Sequence, residues 1–318
     1  FCARLRTEPD GALGGETQVG EYGRGGASRA GEDRVPLIEA VQKDQVLLND
    51  IASRRDGGDL SIWWLGQSGF LVQWQGRHLL FDPYLSDSLT VKYATTDKPH
   101  VRMTEIAVDT ARLQCVDLVT STHNHTDHLD AETLLPLMAA NPEMQLLLPE
   151  ANRAFAAERL ACDPAWLVGM VDGGHYEAAG FAVEGVPAAH EELETDAEGR
   201  HKFMGYVARC GEWTIYHSGD TMLYEGMEER LSGLGIDIAL LPINGRAPER
   251  RVAGNLFGEE AAHLAQAIGA RVVIPCHYEM FEFNTASPEE FSRECERLSQ
   301  GSRVLHCGER WSSEELAS

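Results

Sequence analysis

The sequence predicts an α/β protein with two sheets packed face to face and helices outside them, a four-layer αββα sandwich. Three observations carry that reading. Residues 60–81 hold three short strand-like runs in succession, broken by the turn residues Gly66-Gln67-Ser68-Gly69 and Gln75-Gly76. Strand and helix patterns alternate after them. The same rhythm, hairpins followed by βα units, then returns in the second half.

Taken in order, residues 36–54 have helical spacing, with Leu37, Val41, Val46, Leu47 and Ile51 on or near one face. Strands follow at 60–65, 70–74 and 78–81, then a buried strand at 116–120 and a helix at 131–140. A strand at 145–148 and a helix at 151–160 complete the first half. The second half offers strands at 181–186, 203–208, 213–216 and 236–241, a helix at 259–268, a strand at 272–275 and a helix at 288–298. Residues 1–34 differ in being rich in Gly and Arg with no apolar period, and read as a flexible extension or as upstream sequence carried in with a fragment. Residues 35–318 read as one domain.

A hydrophobic fraction of 43% is enough for a substantial core. The net charge of −23 repels polyphosphate, which counts against a nucleic-acid partner and leaves a small-molecule substrate, anionic if a local basic patch lines the site. The seven cysteines (Cys2, Cys115, Cys162, Cys210, Cys276, Cys295 and Cys307) are scattered, odd in number and free of any CxxC pair. They read as reduced thiols of a cytoplasmic protein rather than as a disulfide framework or a thiolate zinc site. No apolar run reaches the ~18 residues needed to span a bilayer, so no membrane role is expected. Homo-oligomerisation is left open.

The chemistry is concentrated in Ser121-Thr122-His123-Asn124-His125-Thr126-Asp127-His128, which directly follows an apolar strand. Residues at i and i+2 diverge on a helix, so this segment is expected to be a strand-end loop. Such a loop can aim His123 and His125 at one metal ion and Asp127 and His128 at a second. Imidazole nitrogen with carboxylate oxygen suits zinc, manganese or iron better than calcium. Further donors are needed, and His190, Asp220 and His277 each follow an apolar strand, where α/β sites gather.

This run, with single His, Asp and His residues downstream, resembles the metallo-β-lactamase superfamily signature. More narrowly, Trp63-Trp64-Leu65-Gly66, Phe81-Asp82-Pro83, Tyr216-His217-Ser218-Gly219-Asp220 and Val273-Ile274-Pro275-Cys276-His277 resemble the L-ascorbate-6-phosphate lactonase-like branch. The resemblance runs from about residue 60 to the C-terminus. It implies two divalent transition-metal ions, zinc first: His123, His125 and His190 on one, Asp127, His128 and His277 on the other, with Asp220 bridging. His190 is a departure from that branch and implies a fuller two-metal site. The ligand set leads to a metal-dependent hydrolase, in which a water shared by the cations becomes hydroxide near pH 7 and attacks a carbonyl or phosphorus centre. Asp127 and Asp220 would then be the catalytic carboxylates. A lactone or cyclic ester, of a sugar or sugar phosphate, is the first expectation for the substrate; a small phosphodiester or phosphotriester is the second; a non-catalytic binding protein is remote.

Around the ligands, Asp82 is placed either to accept a hydrogen bond from a ligand imidazole or to cap the turn before Pro83. His217 reads as a supporting residue rather than a ligand. Asn244 and Arg246, in an arginine-rich loop, are candidates for gripping an anionic group, and Tyr278 is either a donor to a carbonyl oxygen or a packing residue. Trp63 and Trp64 read as core. His78, His100, His175, His201, His263 and His306 carry no motif.

Overall fold

The strands of the first half lack polar alternation because both faces of their sheet are buried. Successive residues of one strand enter different cores: Ile62 and Trp64 join the cluster between the sheets, while Trp63 joins the cluster under the helices. Leu79 and Phe81 divide from Leu80 in the same way. In the computed structural model, which describes residues 36–316, the strands of the chain form two sheets, as the sequence predicts. The reading of residues 1–34 lies outside the described residues. Those from Leu37 onward form one compact unit.

In chain order the strands are β1 (Ser61–Trp64), β2 (Phe70–Trp74), β3 (Arg77–Phe81), β4 (Leu118–Thr120), β5 (Gln145–Pro149), β6 (Val168–Met170) and β7 (His175–Ala178). They continue with β8 (Phe181–Pro187), β9 (Met204–Cys210), β10 (Trp213–His217), β11 (Ile238–Pro242), β12 (Val272–Cys276) and β13 (Arg310–Ser312). One sheet has the order 13-1-2-3-4-5-6 and the other 12-11-10-9-8-7. In the first, β13, β1, β2 and β3 pair antiparallel, and β3 through β6 pair parallel. In the second, β7 to β10 are antiparallel and β10 to β12 parallel. Hairpins followed by βα units are thus present twice.

The helices are α1 (Asp44–Ser53), α2 (Ser88–Tyr93), α3 (Ala131–Ala140), α4 (Arg153–Arg159), α5 (Met227–Ser232), α6 (Gly258–Ala267) and α7 (Glu289–Leu298). α1, α3 and α4 bury Leu47, Ile51, Leu134, Leu137 and Ala156 on the outer face of the first sheet. α6 and α7 supply Ala261, Leu264, Phe291 and Cys295 to the cluster of the second sheet. Burying a Leu or Phe side chain contributes about 1.5–3 kcal/mol, so these layers carry much of the fold's stability. No helix among the described residues is long and apolar enough to cross a membrane.

The helix expected over 36–54 begins only at Asp44. Upstream, backbone donors are used elsewhere: Ile38 N–H donates to Met103 O at 2.7 Å and Val41 N–H to Cys307 O at 2.8 Å. Asp44 itself has φ 51°, which no helix propagates through. Leu37, Val41 and Val46, placed on the apolar face by spacing, are exposed. Their spacing is helical, but the hydrogen bonds are not.

The loop after β4 and the turn after β10 meet at Gly219. Its φ is 61°, and a β-carbon there would lie 2.6 Å from the side chain of Thr122. Gly219→Ala is therefore expected to cost more than about 2 kcal/mol, since strain and steric overlap add. Gly233→Ala, at a site with open space around it, should stay within about 0.5 kcal/mol. Urea unfolding of both variants checks the pair; equal costs would show that the close approach at Gly219 is unimportant.

Candidate metal centre

Every residue of the His/Asp cluster follows the C-terminal end of a strand. The loop 121–128 leaves β4, His190 lies three residues past the end of β8, Asp220 three past β10, and His277 directly after β12. Strands of both sheets thus deliver donors to one edge of the sandwich. Within the 121–128 loop, the N–H groups of His128 and Leu129 both donate to His125 O, closing a tight turn before the helix. Asp130 then caps α3 by accepting from Glu132 N–H and Thr133 N–H.

The structure brings all seven donors together. His123, His125 and His190 form one group, and Asp127, His128 and His277 another, with donor atoms in each group within 4.8 Å of one another. Asp220 lies between them. Its Oδ1 is 3.3 Å from His128 Nε2; its Oδ2 is 3.3 Å from His277 Nε2 and 3.5 Å from His190 Nε2. Asp127 Oδ2 lies 3.7 Å from both His128 Nε2 and His277 Nε2.

The donor set fits divalent cations. His123 Nε2, His128 Nε2 and Asp220 Oδ1 are buried with no hydrogen-bond partner, a costly state unless an ion completes them. Burial pushes the His123 imidazole well below its ordinary pKa, reinforced by His128 and His125 beside it. Burial alone would raise the pKa of Asp220, but the His277 and His128 imidazoles outweigh it and hold the carboxyl well below the usual carboxylate range. The neutral ring of His123 and the ionised carboxyl of Asp220 are the forms that ligate a metal. At His128 and His277, by contrast, burial is outweighed by the neighbouring carboxylates, which raise both rings, and a cation would have to displace their protons.

Behind the donors stands Asp82, fully buried. Its carboxylate accepts from Thr122 N–H at 3.1 and 3.2 Å, from Thr120 Oγ1 at 3.1 Å and from Thr122 Oγ1. It also takes the Nδ1 proton of His128 at 2.7 Å, which turns Nε2 towards the cluster. Of the two readings open for Asp82, the structure has the imidazole partner. His190 is oriented similarly, through Nδ1 and Gly254 O at 2.8 Å. His217 is not in the cluster: its Nε2 bonds to Ser68 O at 2.9 Å, and its ring stacks on Phe81.

Three expected substrate residues are turned away. Arg246 is clamped by both oxygens of Glu260 at 2.7 Å and lies over Phe257. Asn244 is buried and holds Asn284 and Asn255 in place from behind. The Tyr278 hydroxyl donates to Leu305 O, and its ring packs on Trp64 at 4.4 Å. Each is engaged by neighbouring groups, and none of the three lines the cavity over the cluster.

Sequence reasoning missed Gln67 and His100. The Gln67 amide donates to Asp127 Oδ2 at 2.7 Å and sits 3.0 Å from His277 Nε2, although the residue reads as part of an ordinary turn. Its φ of 52° is the one local irregularity, and sequence does not reveal it. His100 lines the cavity over the cluster, stacked on Tyr93. It lies on a long irregular segment with no motif around it.

Comparison with known proteins gives the chain its family. The beta-lactamase superfamily domain family matches residues 61–277. A UPF0173 metal-dependent hydrolase of Opitutus terrae is 30% identical over 79% of this chain and 98% of its own length. One from Methanopyrus kandleri is 32% identical over 77% and 96%. Among solved structures, Igni18, a metallo hydrolase from Ignicoccus hospitalis, superposes with a TM-score of 0.58 at 23% identity, covering 80% of this chain and 98% of that one. That likeness is one of fold. On the strength of the domain match and of relatives aligned nearly end to end, the chain belongs to the metallo-β-lactamase superfamily, alongside its UPF0173 metal-dependent hydrolases.

Proposed function

We propose that this metal-dependent hydrolase cleaves a small anionic ester, a lactone or cyclic ester before any other. The observation that carries the reading is the cavity over the cluster. It encloses ≈ 430 Å³, with His125, Asp127, His190, Asp220 and His277 in its lining. That volume suits a small molecule and not a polymer. Tyr93, His100, Phe281 and Phe283 form an aromatic wall, and Lys92, Arg159 and Arg251, the last paired with Asp97 at 2.9 Å, add basic groups to the lining. An apolar wall beside cations favours an organic anion over a neutral or cationic substrate. The choice of a lactone rests on the motif resemblance to the ascorbate-phosphate lactonase-like branch.

In the proposed site His123, His125 and His190 would hold one divalent cation and Asp127, His128 and His277 a second, with Asp220 available to both. Cations so held supply Lewis acidity, ionising water near neutral pH and polarising the scissile oxygen. The chain's own residues do the rest. Asp127 is partly open to the cavity, and its Oδ2 is tied to Gln67. Its Oδ1 is the atom left to accept the proton of an attacking water. Gln67 fixes the Asp127 carboxylate, and Asp82 fixes His128. The ring of Phe203 packs within 5.1 Å of His123 and 5.6 Å of His190, keeping bulk water off one side of the cluster.

A small phosphoester is the second reading, favoured by the same three cations, which would suit non-bridging phosphate oxygens. Initial rates of zinc- and manganese-reconstituted protein on sugar-type lactones, phosphodiesters and phosphotriesters separate the two. A kcat/KM at least ~100-fold higher for a lactone, about 2.7 kcal/mol of transition-state binding, supports the first reading. The reverse ratio makes the protein a phosphoesterase.

The cluster itself is tested by metal content. Reconstituted protein should hold two equivalents, and Asp220→Ala should lose one of them together with at least 100-fold in kcat/KM. Unchanged stoichiometry in that variant would sink the bridging assignment. Asp82→Asn should leave the donors intact yet weaken metal affinity ~10–100-fold, the usual cost of removing a ligand's hydrogen-bond partner. Competition with a chromophoric chelator reads that change directly.

A further inference from the structure

A second cleft lies at the opposite end of the same strands. β3 and β4 carry the metal cluster beyond their last residues; the cleft is lined by the first residue of β3, Arg77, by His78, and by Val116 and Asp117 just before β4. At about 3.3 Å per residue the two are separated by on the order of 15 Å of strand. The cleft measures ≈ 740 Å³ and runs between α1, the end of α3 and the helix-facing side of the first sheet.

Its floor is polar where a sheet face should be apolar. Gln73 and His78 stand directly opposite each other on the paired strands β2 and β3. Both share the helix-facing side with Leu71 and Leu80, which are packed core. Gln73 is 1% exposed and His78 3%. Neither Oε1 nor Nε2 of Gln73 has a hydrogen-bond partner, and the His78 ring meets no side-chain partner, only the backbone of Cys115. Asp117 Oδ2 lies 4.0 Å from His78 Nδ1, beyond hydrogen-bond distance. A buried amide left unpaired is destabilising, and one that lines a cleft is a place for a ligand's polar edge to complete.

We propose that this cleft is a second binding site, for a small uncharged molecule with an amide-type donor–acceptor edge, such as a nucleobase or a carboxamide. The Gln73 side chain presents one acceptor and two donors, which match the paired edge of another amide. Burial lowers the pKa of His78 to about 4 and keeps the ring neutral, and with its N–H directed to the Cys115 backbone it adds one acceptor nitrogen. Arg55, Arg77 and Arg112 in the lining are balanced by Asp56, Asp117 and Glu143, so the local field selects neither sign of charge. Leu48, Ile51, Val116 and Met144 supply the apolar walls that a flat heterocycle needs.

The test uses the full, metal-loaded chain with uracil, uridine and nicotinamide as probes, followed by calorimetric titration and thermal unfolding. At least one probe should bind 1:1 and raise Tm by ~3 °C or more near saturation. It should do so equally in Asp220→Ala, whose metal cluster is impaired, so that failure here is distinct from failure at the metal site. Gln73→Leu should be more stable than the parent without a probe, because the orphaned amide is gone, and should bind the probe at least tenfold more weakly. Ala52→Trp, which narrows the lip from α1 without touching the floor, should weaken binding as well. If no probe shifts Tm, water alone fills the cleft; if Gln73→Leu binds a probe as the parent does, the amide is not what recognises it; either outcome overturns the proposal.

Discussion

The carboxylate of Asp82, with no solvent around it, is the point on which the metal cluster hangs. One group at the end of β3 accepts from the backbone of Thr122, from two threonine hydroxyls and from an imidazole. A buried charge is tolerable only with that many donors around it. The demand runs in both directions. Asp82 needs the start of the histidine loop folded against it, and the loop has its His128 ring turned inward only because Asp82 is there. Thr122, held in this way, is also the side chain against which Gly219 packs. The first sheet and the second are therefore locked together at the same few atoms that aim the ligands.

Backbone conformation around the cluster carries the same signature. Asp82, Gln67 and His277 all have positive φ, at 35°, 52° and 62°, and none is glycine. Residues held in that region cost of order 1–3 kcal/mol each and persist when their surroundings over-determine them. Here the surroundings are visible. The N–H of His277 donates to Gln67 O at 2.9 Å, so two of the strained residues hold each other. Such a frame is pre-set, and little reorganisation remains when ligands or substrate arrive.

Much of this was legible in the chain, for identifiable reasons. The 121–128 run packs three imidazoles and a carboxylate into six residues, a density that leaves few alternatives once an apolar strand precedes it. The strands of the parallel segments announce themselves as short apolar runs because both their faces are buried. β6, β7 and β13 were not read. β6 and β13 have three residues each, and β13 owes its state to a partner far away in sequence, which no local pattern reports. The expected substrate residues lie outside the cavity lining for a different reason. Arg246 stands out by composition, but the glutamate that satisfies it, Glu260, lies a turn and a loop away. Gln67 and His100 carry no pattern at all and gain their positions only through the fold.

The strand β13 has a consequence for how the chain comes together. It pairs with β1, and beside it Leu60 N–H donates to Ser313 Oγ across 253 residues of sequence. Closing so long a loop is entropically slow, so the ladder along β1 forms late. On the ribosome, β1 to β3 emerge long before their outer neighbour exists. During that interval the Ile62 and Trp63 strand presents an open hydrogen-bonding edge, which is a template for association with other nascent chains. A chain cut short of Arg310 would keep that edge exposed for good, with its metal ligands all encoded and its first sheet unfinished.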